Sequence, residues 1–573
     1  MRIAQHILIG TILCITIGCR PPEATSPAQE GADDPVWFHD ATEDVGLDFV
    51  HEAGPVGSYF MPQIMGSGGA ALDFDNDGRL DLYLVQNGGP NSSARNRLFR
   101  QRTDGRFEDV SAGSGLDIAG YGMGAAVGDI DNDGWVDVYV SEYGGGRLFR
   151  NRGNGTFEDI TRTAGVAQPS WGTSCCFVDY DRDGWLDLVV VNYVDYDPGF
   201  QCGPANGIKD YCHPRVFPGT SMRLFHNRGR DAGGRWRGFE DVTQSAGVAK
   251  PGPGLGVACA DFNGDGWPDI LAANDARPNH LWINRKNGSF VEEAATLGVA
   301  YNGLGNTASN MGVTLGKMGD SDGLSLFITH LTEETHTLWQ RGERGFFRDR
   351  TIAAGLANTI WRGTGFGTIL VDFDLDGAPD IAVVNGRVAR SRGELPSQSG
   401  LDPYWLPYAE RNQLFLNDGQ GRFRDISRGN HAFCGSFAIG RGLIWGDFDG
   451  DGRVDVVATN VAGPARFYRN VAERRGHWLL VRAVDLGLHR DAYGAVVTVQ
   501  AGTRRWTSFV NPGQSYLSSG DPRAHFGLGP AESVDTIRID WPDGLAEVFP
   551  GTKADRVVRL ERGQGQKVKN MDK

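Results

Sequence analysis

The sequence predicts an all-β protein: a seven-bladed β-propeller closed by an N-terminal strand, followed by a small C-terminal β-sandwich-like domain. Three observations carry this. A Gly-rich run, an Asp-rich turn and an alternating apolar strand recur together seven times. A second motif trails each copy and adds two more short strands, so each unit holds four, the make-up of a propeller blade. An orphan strand near the start of the chain matches the one element that the last unit lacks. Composition agrees: 82 of 573 residues are Gly, 40% are hydrophobic and 10% aromatic, which excludes wholesale disorder and leaves a large, turn-rich core. The net charge of −15 argues against nucleic acid as a partner.

The repeats follow in order. The turn D-x-D-x-D-G-x-x-D begins at Asp73, Asp129, Asp179, Asp261, Asp372 and Asp447. A seventh copy at Lys317 keeps its apolar flanks, Met311-Gly312-Val313 and Leu326-Phe327-Ile328-Thr329, but has lost the acidic register. Starts lie 56, 50, 82, 56, 55 and 75 residues apart, so a base period near 55 carries two enlarged units. The trailing motif is clearest at 147–166 (RLFRNRGNGTFEDITRTAGV), where Asn-Gly and Gly-x-Gly pairs between apolar runs mark hairpin turns. After Asp447 the third strand, Arg466-Phe467-Tyr468-Arg469, has no F-E-D-x-T partner behind it. Phe38-His39-Asp40-Ala41-Thr42 is that missing strand, expected to pair into the last blade and remove an open edge. The propeller is thus placed at 36–471.

The acidic turn is a metal loop by its chemistry. Four carboxylates around a glycine put hard oxygens on one flexible ring, which selects calcium over a transition metal. The expected ligands are Asp73, Asp75, Asp77 and Asp81; Asp129, Asp131, Asp133 and Asp137; and Asp179, Asp181, Asp183 and Asp187. The later loops give Asp261, Asn263, Asp265 and Asp269; Asp372, Asp374, Asp376 and Asp380; and Asp447, Asp449, Asp451 and Asp455. About six calcium sites follow, with the Lys317 blade expected to be empty.

These residues resemble the FG-GAP/VCBS repeats of integrin-α-type propellers, in the arrangement of cartilage acidic protein-like bacterial proteins. From His477-Trp478-Leu479-Leu480 to Trp541-Pro542-Asp543-Gly544 the chain resembles the ASPIC/UnbV domain that follows the propeller in that family. It is placed at 476–562, with a tail at 563–573. The family name implies no reaction.

The N-terminus sets the compartment. Residues 7–18 form an apolar run after Arg2, too short to span a membrane, and read as a signal-peptide core. Thr16-Ile17-Gly18-Cys19 resembles a bacterial lipoprotein box, which implies lipidation of Cys19 after removal of residues 1–18. Residues 19–35 are Pro-, Ala- and acid-rich, a flexible tether. Cys202 and Cys212 share one Pro/Gly-rich insertion and are expected to bridge. The adjacent Cys175 and Cys176 read as buried strand thiols, with a strained vicinal bridge as the alternative.

Extra length falls between strands 2 and 3 of the third and sixth blades, on the face opposite the calcium turns. These insertions carry Tyr193, Tyr196, Phe200 and Tyr211, and Tyr404, Trp405 and Tyr408. Aromatics on Pro-bearing loops suit recognition, so Tyr404, Trp405 and Tyr408 are the expected ligand-binding residues; capping of the channel mouth is the alternative. The one G-x-S-x-G match, Gly319-Asp320-Ser321-Asp322-Gly323, is the turn of the degenerate Lys317 copy rather than a nucleophile elbow, and no H-E-x-x-H or P-loop occurs. His330, Glu333 and His336 match no zinc motif, and His525 reads as packing. The expected function is a calcium-binding, envelope-anchored scaffold for protein or glycan adhesion, touching the membrane only through Cys19. A carbohydrate-active envelope hydrolase or lyase is the alternative.

Overall fold

A computed structural model describes residues 34–200, 202, 208–318, 323–391, 393 and 400–568. The signal segment, Cys19 and most of the tether lie outside the described residues, as does the turn at 319–322 in the Lys317 copy.

Seven four-strand units form the propeller. The first blade runs Gly69–Leu72, Asp81–Leu84, Arg97–Gln101 and Phe107–Asp109, and blades 2 to 6 repeat that meander. Blade 7 has Gly440–Gly446, Asp455–Asn460 and Arg466–Asn470, and its outer strand is Phe38–Asp40. Phe38 pairs with Asn470, His39 with Arg469 and Asp40 with Tyr468, so the first strand of the chain locks the ring. Every acidic turn joins strand 1 to strand 2 of its blade, and its ninth residue opens strand 2.

The inner strands are glycine-rich because they crowd the axis. A Cβ at Gly312 would sit 1.9 Å from the Phe366 carbonyl oxygen of the next blade. The residue ending strand 3 ties neighbours together: Asn151, Asn227, Asn284 and Asn470 each donate Nδ2 to a carbonyl in the preceding blade's acidic turn, at Phe74, Ile130, Tyr180 and Phe373. Gln101 does the same to Phe448 across the ring closure.

The C-terminal region is a two-sheet sandwich. His477–Asp485 centres one sheet, between Ala524–Gly529 and a parallel Arg556–Glu561. Arg504–Phe509, Val496–Ala501, Ser533–Asp540, Ala546–Lys553 and Gln566–Val568 form the other. The strand Gln566–Val568 extends the domain past the boundary at 562 and into the expected tail, because it covers the open edge at Ala546–Val548.

Between Arg504–Phe509 and Ala524–Gly529 the chain leaves the sandwich. The connection descends into the propeller channel as a plug. Ser518–Ser519 adds a parallel strand to Gly69–Ala70 of blade 1. Ser515 N–H and carbonyl pair with Val313 of blade 5, Ser515 Oγ accepts from Thr368 N of blade 6, and Ser174 Oγ of blade 3 accepts from Leu517 N. Tyr516 and Leu517 are fully buried, and a Cβ at Gly68 would lie 2.1 Å from the Leu517 carbonyl oxygen. Ser515 and Leu517 adopt left-handed backbone (φ 76° and 54°), a local cost offset by these pairings.

Candidate metal centres and the two faces of the propeller

Each acidic turn is built the same way. Its first Asp accepts backbone N–H groups from the fifth and sixth positions, as in Asp77 N and Gly78 N to Asp73, except in blade 3, where Asp183 N turns to Asp181 and Asp179 accepts from Gly184 N alone. The fifth Asp accepts from the seventh residue, and the ninth accepts from strand 3, as in Gln101 N to Asp81 at 2.7 Å. Two left-handed residues curl the ring: the sixth-position glycine and the fourth position, which is Asn76, Asn132, Arg182, Gly264, Leu375 and Gly450 in turn.

These bonds leave carboxylate oxygens over. Carboxylate oxygens of Asp73, Asp75 and Asp81 lie within 4.8 Å of one another, and the same holds for Asp129, Asp131 and Asp137, for Asp179, Asp181 and Asp183, and for Asp372, Asp374 and Asp380. One oxygen each of Asp75, Asp179 and Asp455, and both oxygens of Asp131 and Asp374, are buried without a hydrogen-bond partner. A buried anion with an unmet lone pair is costly, and a cation meets that need. Burial and the neighbouring carboxylates push Asp81 and Asp269 up to about 8 and Asp129 and Asp447 up to about 7. The residues present therefore fit a hard divalent cation. Sequence reasoning missed one contributor. In several blades a strand-3 cation flanks the third-position Asp: Arg100 reaches Asp75 at 2.7 Å, and His226 lies 3.4 Å from Asp181 and 3.2 Å from Asp187. The R-L-F-R spacing carried that signal.

The C-terminal domain sits on these turns. Arg490 donates to Asn132 Oδ1 and Gly184 O, Trp506 Nε1 to Gly377 O, and His525 Nε2 contacts Gly452 O at 2.7 Å. Trp478 lies so close over Gly452 that a Cβ there would come within 2.1 Å of the indole. In the turns of blades 3, 6 and 7 the glycine that bends the loop, Gly184, Gly377 or Gly452, thus also leaves room for the domain. His525 is more than a packing residue; it holds the blade 7 turn. His330 and His336 are satisfied within blade 5, through Thr337, Ser309 and the His330 backbone.

The opposite face corrects the expectation for the insertions. Trp405 is 3% exposed and Tyr408 0%, so neither is available to a ligand. The reason is that the two insertions meet over the channel mouth. Tyr408 Oη donates to Asp210 Oδ1 at 2.8 Å, Arg390 N to Asp210 Oδ2 at 2.8 Å, and Tyr404 packs on Tyr59 and Trp405. Tyr404, half-buried, belongs to the same cap. Cys202 and Cys212 are bonded beside it. Beneath lies the buried helix Met61–Met65, whose last carbonyl accepts from Tyr516 Oη of the plug at 3.1 Å. Arg441, wholly buried, bolts the cap down: it donates to the carbonyls of Ile64, Gly386 and Arg387 and lies 3.9 Å from the Phe366 ring centroid. Burial lowers its pKa to about 10. A different aromatic group on this face is, like Tyr404, half-buried. Phe60, Tyr121, Tyr143 and Tyr196 form a cluster with ring centroids 4.9–6.0 Å apart.

The fold and its acidic turns define an FG-GAP-repeat propeller carrying a second domain on its acidic-turn face. Family models agree: the FG-GAP-like repeat matches residues 73–140, 129–190, 261–323 and 401–497, and ASPIC and UnbV matches 486–567. The chain belongs to the family of FG-GAP-repeat proteins with a C-terminal ASPIC/UnbV domain, a pairing that points to a binding or scaffold role. It is similar to cartilage acidic protein 1 of Mus musculus (27% identity over 316 residues, 53% of this chain and 44% of that one). The Xenopus tropicalis protein of that name is 26% identical over 367 residues, 54% of this chain and 55% of that one. The chain spans about half the length of the curated relatives it matches. Among solved structures, BBS1N in complex with ARL6DN is similar over 76% of this chain and 97% of that one (TM-score 0.38, 9% identity). An Agrocybe aegerita lectin, described as recognising non-reducing terminal N-acetylglucosamine, is similar over 66% of this chain and 88% of its own (TM-score 0.36, 12% identity).

Proposed function

We propose that the protein is an exported, calcium-binding scaffold, held on a bacterial envelope by a lipid on Cys19, that binds a protein or glycan with the face opposite its metal loops. The observation that carries the reading is the division of the two faces. The C-terminal domain occupies the metal-loop face, while the opposite face keeps the half-buried cluster of Phe60, Tyr121, Tyr143 and Tyr196. Such rings supply contact area at low entropic cost.

Calcium, when bound, would neutralise the crowded carboxylates and stiffen the turns on which the domain rests. The chain's own part is to hold each oxygen set in place through the Asx-type bonds and the strand-3 bonds to the ninth Asp. The enzyme alternative gains nothing from the channel, which Tyr516 and Leu517 fill.

The test is direct binding of the calcium-loaded chain to an envelope-glycan array and to an envelope-protein panel, with a Phe60→Ala/Tyr143→Ala double variant. A saturable ligand should lose at least about tenfold in affinity in that variant, as expected for removal of aromatic anchors. Undiminished binding would place the ligand elsewhere.

A further inference from the structure

We infer that Cys176 and Cys259 are a disulfide-forming pair that staples blade 3 to blade 4 beneath the channel plug. Their sulfurs are in contact at 3.2 Å, and both side chains are buried. They stand on the inner strands Gly172–Val178 and Gly254–Ala260 of adjacent blades. Successive strand residues face opposite sides. Accordingly, Cys175 packs into a core shared with blade 2, while Cys176 packs with Cys259 in the core between blades 3 and 4. That geometry rules out Cys175 as partner to either. Cys434 lies far off, in the core of blades 6 and 7.

The pair also sits at the root of the plug. Asn511 Nδ2 donates to the Cys259 carbonyl at 3.1 Å, and a Cβ at Gly513 would come within 2.6 Å of Cys176 Cβ. The Cys202–Cys212 bridge in the blade 3 insertion marks a chain that already carries a disulfide, as exported proteins do.

The chemistry needs a small disulfide oxidant such as oxidised glutathione. The thiolate of one cysteine attacks a sulfur of the oxidant and releases one glutathione thiol. The second cysteine then attacks the mixed disulfide and releases the other. Two S–H bonds are lost and one S–S bond forms. The two electrons and two protons end on the two glutathione thiols. In the folded state the contact with Cys259 and burial hold Cys176 as the thiol. Exchange is therefore fastest while the blades are still closing, before the plug seats.

The test uses the full chain, reduced and held with calcium in a glutathione couple poised so that Cys202–Cys212 is oxidised. One arm is native and the other stands in urea just below the unfolding midpoint, which removes burial as a kinetic barrier. Samples are acid-quenched, alkylated, digested and read by mass spectrometry. The expected product is a peptide joining Cys176 to Cys259, with Cys175 and Cys434 alkylated, fastest in the urea arm. The joined form, closing a span of 83 residues, should melt several degrees above the reduced form. Cys259→Ser should fold to the same spectrum and leave Cys176 alkylated. Alkylated Cys176 and Cys259 in both arms, beside an oxidised Cys202–Cys212, would overturn the inference. So would a peptide joining Cys175 to Cys176.

Discussion

The two faces of this propeller are closed by different means. On one, acidic turns of nearly constant sequence form a platform, and the C-terminal domain rests on the turns of blades 2, 3, 6 and 7. On the other, irregular insertions from blades 3 and 6 meet by packing and by a shared carboxylate, Asp210. The first face is held by charge that must be neutralised; the second by buried rings and a buried arginine. The two should therefore respond to different perturbations.

Removal of the proposed calcium should have the largest effect. Stripping divalent cations with a chelator should lower the thermal midpoint by about 10 °C or more, because binding to the folded state alone contributes stability by mass action. Calorimetry with and without excess calcium checks this, and an unchanged midpoint would break the distinction between the faces. Next comes Trp405→Ala. If the cap is a packing device, the variant loses about 3–5 kcal/mol of stability in urea unfolding, as for other buried tryptophans. A near-neutral effect would mean that the cap does not hold the mouth.

The dependence on pH is smaller and has a defined sign. Burial first, and neighbouring carboxylates next, raise Asp81, Asp129 and Asp269 above the usual carboxylate range, to about 8, 7 and 8. The metal-free folded state therefore binds more protons than the unfolded chain between about pH 4 and 8, and its stability falls as pH rises through that window. Calcium needs the deprotonated form, so the stabilisation it adds should grow over the same window. Melting curves at pH 5 and pH 8, each with and without calcium, would show a larger calcium-induced shift at pH 8. An equal shift at both would contradict the assignment of these carboxylates.

The sequence made one face legible and concealed the other. The acidic turns repeat, so their place between strands 1 and 2 and the closure of the ring by Phe38–Asp40 could be read from spacing. Trp405 and Tyr408 could not be placed, because their burial depends on Tyr211 and Asp210, contributed by a blade three units away. The plug was hidden for a related reason. Ser515-Tyr516-Leu517-Ser518-Ser519 reads as one more short strand of the C-terminal domain, and nothing in it points to the propeller. Only the small inner-strand residues, such as Gly68 and Gly124, make room for Tyr516 and Leu517. Nothing in local sequence links those glycines to Leu517, which lies 449 residues beyond Gly68 and 393 beyond Gly124.

If the turns bind calcium, they hold the C-terminal domain and, through it, the plug. Hydrogen exchange of the backbone amides from 511 to 521, followed in calcium and in chelator, tests this most directly. The account predicts strong protection with calcium and a loss of at least about a hundredfold without it, while the core strands of the sandwich stay protected. Protection of the plug that is the same in both conditions would contradict it.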